Sequence, residues 1–142
     1  MIELLKSIDA CTICSGQLPH EPKPIIRASK NSIIAIVGQA PGNKVHQSGI
    51  PWNDASGKRL RNWLGVGERT FYDDNIFALI PMGFCYPGTG KSGDLPPRKE
   101  CAPKWHSQVW DHMPNIRLIL LIGQYAQHYY LPKNPYNSLT ET

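Results

Sequence analysis

The sequence has no internal repeat, no low-complexity tract and no long apolar run. The first two absences argue against solenoids, fibrous arrays and disordered linkers. The N-terminal run MIELLKSIDAC is too short and too acidic to read as a signal peptide or a membrane span. Excess charge is also missing. Charged residues make up 18% of the 142 positions and the net charge is +4. That balance permits a polyanionic partner without requiring one, so a basic footprint counts only where it is local. Cysteine is scarce, at four. Without a secretory signal, four cysteines are expected to bind metal, do redox work or sit buried sooner than form disulfides. These absences leave a single domain over residues 1–142, with no membrane partner, expected to be cytoplasmic and monomeric.

One tempting motif also fails. GTGKSG, within GFCYPGTGKSGDLPPRKEC, looks like a phosphate-binding loop. That loop needs a glycine six residues before Lys91, and Cys85 sits in that register. Pro96-Pro97 also interrupts the helix that should follow. The stretch reads as a polar loop with a cysteine near each end.

The apolar patterning gives the fold class. Ile33-Ile34-Ala35-Ile36-Val37, Ile76 to Ile80 and Leu118 to Ile122 are continuous runs, the mark of strands buried on both faces. Helical stretches are expected over Ile2 to Ile8, from Gly57 to about Leu64 with Ser56 as cap, from Pro97 to about His112, and over Gln124 to Tyr130. This alternation predicts an α/β domain, a three-layer α/β/α sandwich around a central parallel sheet with the three strands adjacent. Ligands bind such sheets at the carboxyl ends of the strands. The two longest loops, 38–56 and the cysteine loop, leave such ends.

Cys11 and Cys14 form a C-x2-C pair, and fifteen residues separate Cys85 from Cys101. The four could converge on one centre. Four thiolates suit a 4Fe-4S cluster. Zinc also accepts four cysteines, although zinc modules usually repeat the C-x2-C pair. A redox C-x2-C pair, or four cysteines with no metal at all, stay open on spacing alone.

The loop after the first strand adds a resemblance. GQAPGNKVHQSGIPWNDASGKRL resembles the first motif of the iron–sulfur uracil-DNA glycosylases, through Gly38-Gln39-Ala40-Pro41-Gly42, Gly49-Ile50-Pro51-Trp52 and Ser56-Gly57. Cys11, Cys14, Cys85 with Pro87, and Cys101 match the cysteine layout of that family, and Ile122-Gly123-Gln124-Tyr125-Ala126 is similar to its Leu-Gly-x-x-Ala step. The resemblance implies excision of uracil, or of another damaged base, from DNA by N-glycosidic bond hydrolysis. It implies a 4Fe-4S cluster on the four cysteines. It also implies base binding by Gly38, Ala40, Pro41, Gly42 and a stacking Trp52. Gln39 stands where the family has an acidic residue, and an amide cannot act as a general base. With Gln39, His46 and Asp54 complete the catalytic candidates. Lys58, Arg59 and Arg61, and Lys91, Arg98, Lys99 and Lys104, are the expected phosphate contacts.

Two departures weigh against full activity. Pro81 replaces the asparagine with which the family recognises uracil, and no histidine of this chain is followed by proline, although the family closes its site with His-Pro-Ser. The chain is therefore expected to lack the last strand of the fold and to be poorly active or inactive. A cluster-bearing DNA-binding module of the same fold is the alternative.

Overall fold

The computed structural model describes residues 1–131; the remainder of the expected 1–142 domain lies outside the described residues. A parallel sheet forms its middle layer, in the order β2 (Phe77–Leu79), β1 (Ile34–Val37), β5 (Leu118–Leu121). Ile34 pairs with Phe77 on one side and with Leu118 on the other. All three strands fall where the apolar runs predict them. The period of two along β1 divides its side chains between the faces. Ala35, with Ala78 and Ile80, meets α1 (Ile2–Asp9) and α5 (Cys101–Asp111) through Leu4, Ile8, Trp105 and Val109. Ile34 and Ile36, with Phe77 and Leu79, meet α3 (Ala55–Leu64) and α4 (Glu68–Phe71) through Leu60 and Phe71. Helices thus cover both faces, giving the expected three-layer α/β architecture.

The outer side of β2 is closed by an antiparallel bridge from Arg27, which exchanges two backbone hydrogen bonds with Leu79. The outer side of β5 carries no further strand among the described residues, and Leu118 and Ile119 there are exposed. No helix among the described residues is long and apolar enough to cross a membrane.

The structure corrects two boundaries and adds elements. α3 starts at Ala55 and not Gly57, and its cap is Asp54 and not Ser56, because the Asp54 carboxylate accepts from the Gly57 N–H. α5 starts at Cys101, not Pro97, because the Arg98 and Glu100 side chains pair with each other in a turn before it. Pro103 then falls in the first helical turn, where its missing N–H costs nothing. Two further short helices, α2 (Asn43–Ser48) and α4, and a small hairpin, β3 (Thr89–Gly90) with β4 (Gly93–Asp94), interrupt the long loops.

A buried polar chain ties the last helix, α6 (Gln124–Tyr130), to α5 and to the end of β2. His106 is 1% exposed. Its Nε2–H donates to the Pro81 carbonyl at 2.9 Å, leaving Nδ1 to accept from the Tyr130 hydroxyl. Trp110 Nε1–H donates to the same hydroxyl at 3.0 Å. Burial lowers the His106 pKa from its ordinary 6.5, the Pro81 contact opposing only in part. The folded state thus favours neutral imidazole. The associated stability is complete above the unfolded value near 6.5 and is lost as pH falls through the window below it. His46, also lowered, acts with the same sign. The urea midpoint is therefore expected to fall between about pH 7 and pH 5, and to fall less in His106→Gln. An equal fall in both proteins would remove His106 from the explanation.

Candidate active site

The three strands end on one cavity of about 310 Å³. The turn after β1 supplies Gly38 to Gly42, the segment after β2 supplies Pro81, and Ile122 and Gly123 follow β5. Sheet hydrogen bonding continues past the strands into this rim. Met82 N–H donates to Gly38 O at 2.8 Å and Gly83 N–H to Gln39 O at 3.0 Å. The 38–42 turn is therefore fixed to the sheet.

Trp52 forms the opposite wall, and its backbone is unusual. At φ 61° it is the one non-glycine residue with positive φ among the described residues. Several neighbours hold it there. The Arg61 guanidinium donates to the Trp52 carbonyl at 3.1 Å, and the Tyr72 hydroxyl donates to the Pro51 carbonyl at 2.7 Å. Arg61 also approaches the Tyr72 hydroxyl at 3.3 Å and lies over the Phe71 ring. A Cβ at Gly57 would stand 1.6 Å from the Trp52 carbonyl oxygen, and one at Gly38 would stand 2.8 Å from the indole. The two glycines are the gaps into which Trp52 fits.

Of the expected base-binding and catalytic residues, Gly38, Gln39, Ala40, Pro41, Gly42, Trp52 and Asp54 all line this cavity. Asp54 is partly committed elsewhere. It is the N-cap of α3, its Oδ1 accepting from Gly57 N–H at 2.9 Å. His46 needs correcting as a catalytic candidate. α2 turns Val45 to the cavity, while His46 stacks on His20 with ring centroids 4.9 Å apart, beside Tyr86. Burial, then the nearby His20 and Lys23, lowers its pKa.

Sequence reasoning missed Asp94. The β3–β4 hairpin swings this carboxylate to the cavity, with Oδ2 3.2 Å from where a Gly42 Cβ would be. Its Oδ1 accepts from the Thr89 hydroxyl at 3.0 Å, and Thr89 in turn contacts the Tyr86 hydroxyl. More than fifty residues part Asp94 from the 38–42 turn, and no local pattern announces the meeting. Among the described residues, no Lys, Arg or His lines the cavity.

The basic candidates divide. Lys58, Arg59, Lys91 and Lys99 are exposed. Arg61 is 8% exposed and bound to the Trp52 carbonyl, which corrects its expected phosphate role. Arg98 is half-buried and engaged by Glu100 at 2.8 Å and by Gln17 at 2.8 Å, so it too is turned from phosphate. Lys104 lies over its neighbour Trp105.

Cys11, Cys14, Cys85 and Cys101 line a second, small cavity of about 20 Å³, and all four are free thiols. No group of three or more His, Cys, Asp or Glu among the described residues is arranged to hold a metal ion. Backbone donors face two of the sulfurs. Phe84 N–H points at the Cys101 sulfur at 3.3 Å, and the Lys23 backbone hydrogen-bonds to Cys85. Burial outweighs these donors and pushes Cys101 up to about 12 and Cys85 up to about 11. Burial, then Glu100, also raises Cys14.

A sequence model of the uracil DNA glycosylase superfamily matches residues 27–142. The matched span contains every residue of the cavity at the strand ends except Ile25, and two of the four cysteines.

Alanine normally stabilises a helix relative to glycine by roughly 0.5–1 kcal/mol. At Gly57 the sign is expected to reverse. Gly57→Ala should cost about 1–3 kcal/mol or more, because the new methyl displaces the Trp52 carbonyl from Arg61. Chemical denaturation checks this, and a stabilised variant would contradict the geometry.

Proposed function

The chain belongs to the uracil DNA glycosylase superfamily, and from that premise we propose that it takes uracil, or a related damaged base, out of the DNA stack and hydrolyses its N-glycosidic bond. One observation carries the reading: the Gln39 amide, the Trp52 ring and the Asp94 carboxylate share a cavity whose size, about 310 Å³, suits a nucleobase. A flipped base needs a stacking surface and partners for its polar edge. Trp52 offers the surface. Gln39, both donor and acceptor, can read a pyrimidine carbonyl and its N–H. The Gly38 to Gly42 backbone allows close approach of base and sugar.

Bond cleavage places positive charge on the sugar and negative charge on the leaving base. Asp94, with one oxygen held by Thr89, can aim a water at the sugar and face the growing positive charge. It thereby stands in for the acid that Gln39 replaces. No cationic lining side chain among the described residues meets the leaving base, so slow chemistry is expected. That same feature supports the second reading, a DNA-binding module without turnover.

The four cysteines are proposed to hold a 4Fe-4S cluster, with zinc or no metal as the competing outcomes. The backbone N–H groups aimed at Cys101 and Cys85 support this. When bound, such a group would supply structural cross-linking, not base chemistry. Loading requires the thiols to release their protons. Anaerobic purification is expected to give brown protein with about four irons and four sulfides per chain. Colourless protein containing zinc would overturn the iron assignment.

Single-turnover assays on a uracil-containing oligonucleotide test the main reading. Slow release of the free base is expected, with Asp94→Asn at least about 10²-fold slower and Trp52→Ala impaired in base binding. Tight binding of damaged DNA with no release would favour the non-catalytic module. Release unaffected by both substitutions would place the chemistry elsewhere.

A further inference from the structure

Trp63, on α3, is 79% exposed, the most exposed large apolar side chain among the described residues. The sequence reading assigned it nothing. The helix repeat explains what it shares a face with. Gly57, Leu60, Arg61 and Leu64 turn toward the sheet and the Trp52 loop. Ser56, Arg59 and Trp63 form the outer stripe, at i, i+3 and i+7. Ser56 lines the cavity at the strand ends, so the stripe begins there and reaches Trp63 about 10 Å further along the axis. Arg59, one turn before Trp63, is exposed and makes no ion pair among the described residues; Lys58 beside it is likewise exposed and unpaired.

We propose that this stripe is a second DNA contact, holding the strand that flanks the flipped nucleotide, with a flanking base stacked on Trp63 and a phosphate met by Arg59. It rests on the reading of the cavity as a nucleobase site. The occupant follows from chemistry and continuity. An apolar partner alone would not match a ring with the exposed Arg59 one turn away on the same stripe, whereas a single strand presents a base face and a phosphate at each step. A strand leaving the cavity past Ser56 meets Arg59 and then Trp63 in order. Of the three-residue basic footprint expected from sequence, the stripe keeps Arg59; Arg61 faces inward, and Trp63 joins.

The experiment uses the full chain and single-stranded oligonucleotides carrying a tetrahydrofuran abasic analogue. The unflanked probe is the analogue with only its own 5′ and 3′ phosphates; two flanked sets extend several nucleotides to its 5′ or to its 3′ side. Trp63→Ala is expected to weaken binding about 5- to 100-fold for one flanked set and to leave the unflanked set unchanged. Trp63→Phe should retain most of the affinity, because a ring remains. Arg59→Ala should lower the salt slope of the flanked set by about 0.7. Equal affinities for Trp63→Ala and wild type on every oligonucleotide would overturn the proposal. So would an equal loss on flanked and unflanked sets, or a change in self-association with DNA affinity intact. Flank-selective loss in a chain that releases no base would uphold this contact while the excision reading fails. Base release with no effect of Trp63 would do the reverse. Failure of the wild type to bind any of these oligonucleotides would overturn both.

Discussion

A single peptide conformation organises the cavity: the left-handed backbone at Trp52. A non-glycine residue held there costs on the order of 1–3 kcal/mol, so its neighbours must over-determine it. They do so from three elements. Arg61 on α3 takes the Trp52 carbonyl, Tyr72 after α4 takes the Pro51 carbonyl, and Gly57 and Gly38 withhold the methyl groups that would collide with it. The strain is localised where the indole becomes a cavity wall. Packing of α3 and α4 against β1 and β2 is thereby coupled to the shape of the pocket, since Phe71, under the Arg61 guanidinium, is also a fully buried core residue. A buried arginine is costly to desolvate, and here its hydrogen bonds and two aromatic faces offset that cost.

How far the sequence discloses this arrangement depends on the range of the interaction. β1 and β2 were legible because a strand covered on both faces must be apolar at every position; β5 carries an equally apolar run, although its Leu118 and Ile119 are exposed among the described residues. The 38–42 turn and Trp52 were legible as a contiguous motif. α2, α4 and the β3–β4 hairpin were not, being too short to develop a period. Side-chain direction on α3 was the second blind spot. Lys58, Arg59 and Arg61 look alike as a basic run. At 100° per residue, however, Arg61 shares the inner face with Gly57 and Leu60, while Arg59 shares the outer one with Trp63. The same rotation on α2 turned Val45 to the cavity and His46 away from it. Asp94 was illegible for a different reason: its partners at the cavity lie far back in the chain, and only the hairpin brings them together.

That hairpin connects the two cavities. Cys85 and Cys101 are the ends of the segment that carries Asp94, and both line the thiol cavity. A free loop of this length samples many shapes, and fixing its ends removes part of that freedom. Within it, Leu95 N–H donates to Gly88 O at 2.8 Å and the Leu95 side chain covers Gly88 and Gly90, which narrows the remaining choices. The Thr89 hydroxyl then sets the Asp94 carboxylate. The position of the carboxylate at the nucleobase cavity is thus the last link of a chain that begins at the buried thiols. With those thiols neutral at physiological pH, as the raised values of Cys85 and Cys101 require, burial and two backbone N–H donors are the restraints on the loop ends. Ligation of the four sulfurs would add covalent restraint at the same points. Its influence on the site would therefore be felt through the placement of Asp94, while the Trp52 wall, fixed by α3 and α4 on the other face of the sheet, would stand without it.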